Sequence, residues 1–146
     1  ILRKEAHLEF YAKQALLLTY QLGQTNISSL VVAVNAFLKS RKGRYAEALE
    51  FAEQAFSMMA RYPEGRETAN TINMLASFVM HFKLPLSEVR ALHLQGYHLG
   101  LALGDTMRAA VNLNNEMTYI YERNHYAPVG LYQNGRRFYV GVRAEY

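Results

Sequence analysis

With 146 residues, 51% of them apolar and 19% charged, the chain is long enough for one compact core and too apolar to stay disordered. Its formal charge of +4 is modest, and the lack of cysteine excludes structural disulfides, thiolate zinc sites and cysteine nucleophiles. The opening Ile1-Leu2-Arg3-Lys4 has no Met and reads as a piece cut from a longer protein.

Six helical segments follow in order. The first, about Leu2 to Leu22, carries Leu8, Tyr11, Ala15, Leu18 and Leu22 as a helical stripe and ends at Gly23, a natural C′ glycine. Leu8, Phe10, Tyr11, Leu16, Leu17 and Leu18 spread over more than one of its faces. Such a helix is too apolar for free solvent, so helices two and three, or a second copy, are expected to cover it. Thr25 or Asn26 is expected to cap the second helix, which runs to about Arg41. A tight turn at Lys42-Gly43-Arg44 leads into the third, from Tyr45 to just before the Pro63-Glu64-Gly65 breaker. Within it Tyr45, Ala48, Leu49, Ala52 and Ala55 recur at the spacing of one helical face, and the small residues let a second helix approach closely.

The fourth helix, about Glu67 to Lys83, has Ile72, Leu75, Ala76, Val79 and Phe82 on one side. Ser87 is the expected N-cap of the fifth, which runs to about Leu103. Gly104-Asp105 separates it from the sixth, about Thr106 to Arg123, whose expected inner face is Met107, Ala110, Val111, Asn114, Met117, Ile120 and Tyr121. In the tail, Asn134-Gly135 favours a β-hairpin, with Leu131 opposite Phe138 and Val129 opposite Val140, or extended chain, over the alternative of a seventh helix that breaks there. No run approaches the roughly 18 apolar residues of a membrane span. Glu5, His7 and Glu9 interrupt any signal-like core.

Helices two and three resemble a tetratricopeptide repeat, a helix–turn–helix unit of roughly 34 residues. The likeness rests on Gly43 at the turn, Tyr45 after it, and the small-large-small set Ala48, Leu49 and Ala55. Val31, Val34 and Leu38 are then the packing positions of the preceding helix, with Asn35 where glycine or alanine is usual, and Pro63 falls a few residues late. A weaker echo lies at Leu103-Gly104-Asp105 with Ala109 and Ala110 behind it, and with Leu94, Gly96 and Leu101 as partners on the helix before. The resemblance implies stacked antiparallel hairpins with a groove that holds a peptide or another protein's helix. Residues 1–124 are read as this TPR-like, all-α repeat domain, a short α-solenoid, and 125–146 as a tail or the start of a following segment.

No enzyme constellation is present, and no cofactor is expected. His93 and His98 are about 140° apart on one helix and do not form an i, i+4 ligand pair. Gly96, Gly100 and Gly104 lack the lysine and preceding strand of a phosphate loop, so they are read as close-packing positions. The basic residues Arg3, Lys4, Lys39, Arg41, Lys42 and Arg44 sit near helix ends and turns with acids close by, and are read as solvated surface. Asparagine inside a helix is a poor former but can donate to and accept from a peptide backbone. Asn35, Asn73 and Asn112 are therefore the peptide-binding candidates, and Tyr119, Tyr132 and Tyr139 the interface candidates.

The function expected is a cytoplasmic protein- or peptide-binding module, serving as the sensor, scaffold or dimerisation part of a larger regulatory protein, with a homodimer as one option. Two alternatives stand beside it. A nucleic-acid-associated domain, not the favoured partner class, would use Arg136, Arg137 and Arg143 among aromatics. The other is a helical accessory domain of an enzyme whose active site lies elsewhere.

Overall fold

The computed structural model describes residues 2–63, 65, 67–125, 132–133 and 136–137. It is all-helical apart from one minimal hairpin, in the order α1 (Leu2–Leu22), α2 (Ser28–Arg41), α3 (Tyr45–Arg61), α4 (Thr68–Phe78), α5 (Leu86–Ala102) and α6 (Thr106–His125). A single 3₁₀ turn, Met80–Phe82, lies between α4 and α5. The hairpin pairs β1 (Tyr132–Gln133) with β2 (Arg136–Arg137) antiparallel, Tyr132 opposite Arg137 and Gln133 opposite Arg136. That register is the one expected about Asn134-Gly135; the pairs Leu131–Phe138 and Val129–Val140 lie outside the described residues.

Glycine closes three helices where the sequence put breaks. Gly23, Gly43 and Gly104 have φ of 98°, 74° and 72°, the left-handed region that other side chains avoid. The turns after α2 and α5 close alike. Arg44 N–H donates to Lys39 O at 3.0 Å, and Asp105 N–H to Gly100 O at 2.8 Å. Asp105 then caps α6, its Oδ1 accepting from Arg108 N–H at 3.0 Å.

Other helix ends differ from expectation. Neither Thr25 nor Asn26 caps α2; Ile27 stands at its N-cap without a side-chain bond, and Ser28 Oγ instead accepts from Thr25 N–H at 2.8 Å. Pro85, not Ser87, is the N-cap of α5. The fourth helix stops at Phe78, short of Lys83. Ser40 Oγ of α2 donates to Phe78 O at 2.7 Å, occupying the carbonyl that a continuing helix would use. Phe82 N–H turns to Val79 O at 3.2 Å, which tightens the chain into the 3₁₀ turn. Ser40→Ala should cost about 1–2 kcal/mol in urea denaturation, because it removes a buried interhelical bond. A midpoint equal to wild type would show that Phe78 O needs no hydroxyl.

The main core lies where α2, α3 and α4 meet. Val32, Ala33, Ala36, Ala48, Ala52, Ala55, Leu75 and Val79 are fully buried there. Three alanines of α3 thus do what their spacing predicts, letting α2 come close. The inward face of α2 is Ser29, Val32, Ala33, Ala36 and Ser40, whereas Val31, Val34 and Leu38 are half-buried. This helix packs against α1, α3 and α4 at once, so its neighbours, and not its most apolar stripe, decide what goes inside.

A second seam joins α5 to α6 through glycine. A Cβ on Gly96 would lie 2.5 Å from Asn112 Oδ1, and one on Gly100 would lie 2.8 Å from the backbone N of Ala109. The close-packing reading is therefore correct for Gly96 and Gly100 but not for Gly104, where an added Cβ would meet nothing within 4 Å and the glycine serves the left-handed turn instead. Leu94 and Leu101 on the same helix are exposed, not packed as expected.

Candidate functional site

Two of the three peptide-binding candidates lie within the packed helices. Asn35 is buried, and its amide nitrogen donates to Ala12 O of α1 at 3.1 Å and to Val31 O at 2.9 Å. Asn112 has no exposed surface; its amide nitrogen donates to Ala69 O of α4 at 3.2 Å and to Arg108 O at 3.0 Å. Each asparagine is thus a tie between helices, and its N–H groups are already engaged. Asn73 is half-buried, its Oδ1 accepting from Asn115 Nδ2 at 2.7 Å. Asn73 and Asn112 come to the α4–α6 region, while Asn35 stands apart at α1–α2. Of the interface candidates, Tyr119 is on α6 and Tyr132 on β1; Tyr139 lies outside the described residues.

Around Asn112 the interior between α4, α5 and α6 is polar. His93 is fully buried, with Nδ1 3.2 Å from Asn112 Oδ1. Since the Asn112 nitrogen faces two carbonyls, its oxygen faces the imidazole, and the ring proton must sit on Nδ1. Burial pushes the His93 pKa down, against the opposing pull of the Asn112 bond and the Glu116 charge. Beside it the buried Glu116 accepts from Arg90 Nη2 at 2.7 Å and Nε at 3.1 Å. Such a network fixes how α6 sits. Among the described residues no group of three His, Asp or Glu side chains is placed to hold a metal.

The sequence does not foresee the outward surface of α6, whereas for α1 it leaves cover by a second copy open. On α1 the side facing α2 is Ala12 and Thr19 with Leu16, and α2 is its main contact. Helices two and three therefore do not cover it as expected. Leu8, Tyr11, Leu18 and Leu22 are exposed, Tyr11 at 67% and Leu22 at 81%, and Phe10 and Leu17 are exposed beside them. On α6 the described part of the expected inner face points the other way; the side chains of Ile120 and Tyr121 lie outside the described residues. Met107 is 67% and Met117 58% exposed, Ala110 and Asn114 are exposed, and Val111 is half-buried. Ala109, Asn112 and Glu116 are buried in their place: Ala109 and Asn112 lie against Gly100 and Gly96 of α5, which leave room only for a small or flat side chain, and Glu116 is held by Arg90.

Both seams share one spacing: 8, 11, 15, 18, 22 on α1 and 107, 110, 114, 117 on α6 alternate steps of three and four residues. That alternation keeps a row of side chains on one line of a helix and is the spacing by which helices pair with helices. No described helix is long and apolar enough to cross a membrane. Compared with protein-family models, curated proteins and solved structures, the chain matches none.

Proposed function

We propose that the chain is a protein-binding helical-repeat module, a short tetratricopeptide-like stack whose end helices receive helices of a partner protein. The reading is supported by how the helices neighbour one another. α2 packs on both α3 and α4, and α4 on both α5 and α6, the every-other-helix contact by which stacked hairpins share a core. The carrying observation is the pair of outward seams with three–four spacing. The apolar row of α1 and the paired exposed Met107 and Met117 of α6 are surfaces that rarely stay in water on a single-chain protein, and their spacing selects an amphipathic helix over an extended strand.

The test is selection of helix-forming peptides from a display library against the full chain, followed by titration of the selected peptides. Tyr11→Glu with Leu18→Glu puts charge seven residues apart on the α1 seam without touching the core. Affinity for peptides that use α1 should fall about tenfold or more, with the urea midpoint unchanged. Peptides that bind this double variant as tightly as wild type, and also its Met107→Glu, Met117→Glu counterpart, would sink the reading. So would a library from which nothing binds.

A further inference from the structure

Four cations gather around one small cleft, three of them close in sequence and the fourth brought in from α1. Lys13 reaches it from α1, Lys39 from α2, and Lys42 and Arg44 from the turn before α3; Glu9, Asn35 and Leu38 complete its lining. The cleft holds about 70 Å³ and opens to solvent. A single water needs about 10–15 Å³ on that measure, so the cleft is roomy enough for a small polyatomic ion.

Each carboxylate here is shared by two cations. Glu9 accepts from Lys42 Nζ at 2.6 Å and Lys13 Nζ at 3.0 Å. Glu47, just outside the lining, takes Lys39 Nζ at 2.8 Å and the Arg44 guanidinium. Among the described residues, four cations and two carboxylates therefore meet at this concavity, a surplus of two. Each lysine ammonium has three N–H groups and gives one to these acids, so donors remain for a further acceptor. The field registers in the acids: the bonds from Lys42 and Lys13 push the Glu9 pKa down to about 2, and those from Lys39 and Arg44 lower that of Glu47. A cleft with surplus charge of one sign focuses potential and concentrates ions of the other.

We infer that the cleft between α1, α2 and the Lys42–Arg44 turn binds a phosphate group, a doubly charged oxyanion matching the surplus of two cations. The site is independent of the helix-binding reading, because Tyr11, Leu18, Met107 and Met117 take no part in it. A monocarboxylate would leave one charge of the surplus unmet. A phosphate can bridge the Glu9 pair and the Glu47 pair and tie α1 to the turn.

The experiment follows backbone amide NMR shifts of the full chain on titration with inorganic phosphate at low ionic strength, with chloride at matched ionic strength as control. Saturable shifts confined to residues 9–13 and 35–47 with phosphate alone are expected. Lys13→Gln with Lys39→Gln removes the surplus and should weaken phosphate binding about tenfold or more. Arg44→Gln, read the same way, serves if the double variant fails to fold. A phosphoserine peptide that binds more tightly than phosphate places the group on a polypeptide; one that binds no better places it on a free ion, and both outcomes support the site. Chloride reproducing the shifts, or unaltered phosphate binding in the variants, would overturn it.

Discussion

Gly100→Val should lower stability by about 3 kcal/mol, a fall in Tm on the order of 10 °C for a domain of this size. The added carbon would meet Ala109 N at 2.8 Å and Ala109 Cα at 3.0 Å. Both are backbone atoms of α6, so relief requires the whole helix to move away from α5. Losing a glycine from a helix interior returns only a few tenths of a kcal/mol when valine replaces it, far less than the clash. Gly43→Ala is the control. Its Cβ would meet nothing within 4 Å, yet φ of 74° remains strained for alanine, so about 1 kcal/mol is expected there. Thermal denaturation separates the two. A Gly100→Val midpoint matching wild type would mean that α5 and α6 do not touch through glycine.

Asn112→Ala should cost about 2–3 kcal/mol, since it strands the His93 ring N–H in the interior and removes the tie to Ala69 O. The same side chain is what a Cβ at position 96 would strike, at 2.5 Å from Oδ1. Gly96→Ala should therefore destabilise wild type clearly and the Asn112→Ala background much less, a non-additivity that a double-mutant cycle reads directly.

His93 adds a pH signature to this network. Its folded pKa is depressed below the ordinary 6.5 by burial. Above pH 6.5 both folded and unfolded chains hold it neutral and its contribution is constant. As pH falls below 6.5 the unfolded chain takes a proton that the folded chain refuses, and stability drops until the folded pKa is passed. Urea midpoints between pH 8 and pH 5 should fall more steeply for wild type than for His93→Gln. Parallel curves would show that the imidazole titrates freely in the fold.

Much of the local structure was legible because it depends on backbone chemistry within a few residues. Gly23, Gly43 and Gly104 mark helix ends since only glycine enters the left-handed region without strain. Ala48, Ala52 and Ala55 announce a close helix contact because small side chains at that spacing leave nothing else to pack. The end of α4 was not legible, because it is set by a hydroxyl from Ser40, on another helix. The candidate site was read only in part. Asparagine within helices reads as peptide-binding, but whether its amide meets a peptide or a neighbouring helix depends on what stands opposite.

The facing of α6 shows the division most plainly. Its sequence holds two stripes, Met107-Ala110-Asn114-Met117 and Ala109-Asn112-Glu116, and hydrophobicity chose the first. Contact with Gly96 and Gly100 chose the second, since backbones that approach this closely admit no methionine between them. The four-cation cleft likewise needs Lys13 brought beside Lys39, Lys42 and Arg44, which is a fact of how α1 lies on α2. The sequence by itself determined that the chain is helical, where most helices end and which contacts are close. Only the tertiary structure decided which faces are inside and which charges meet, because both depend on partners that lie far along the chain.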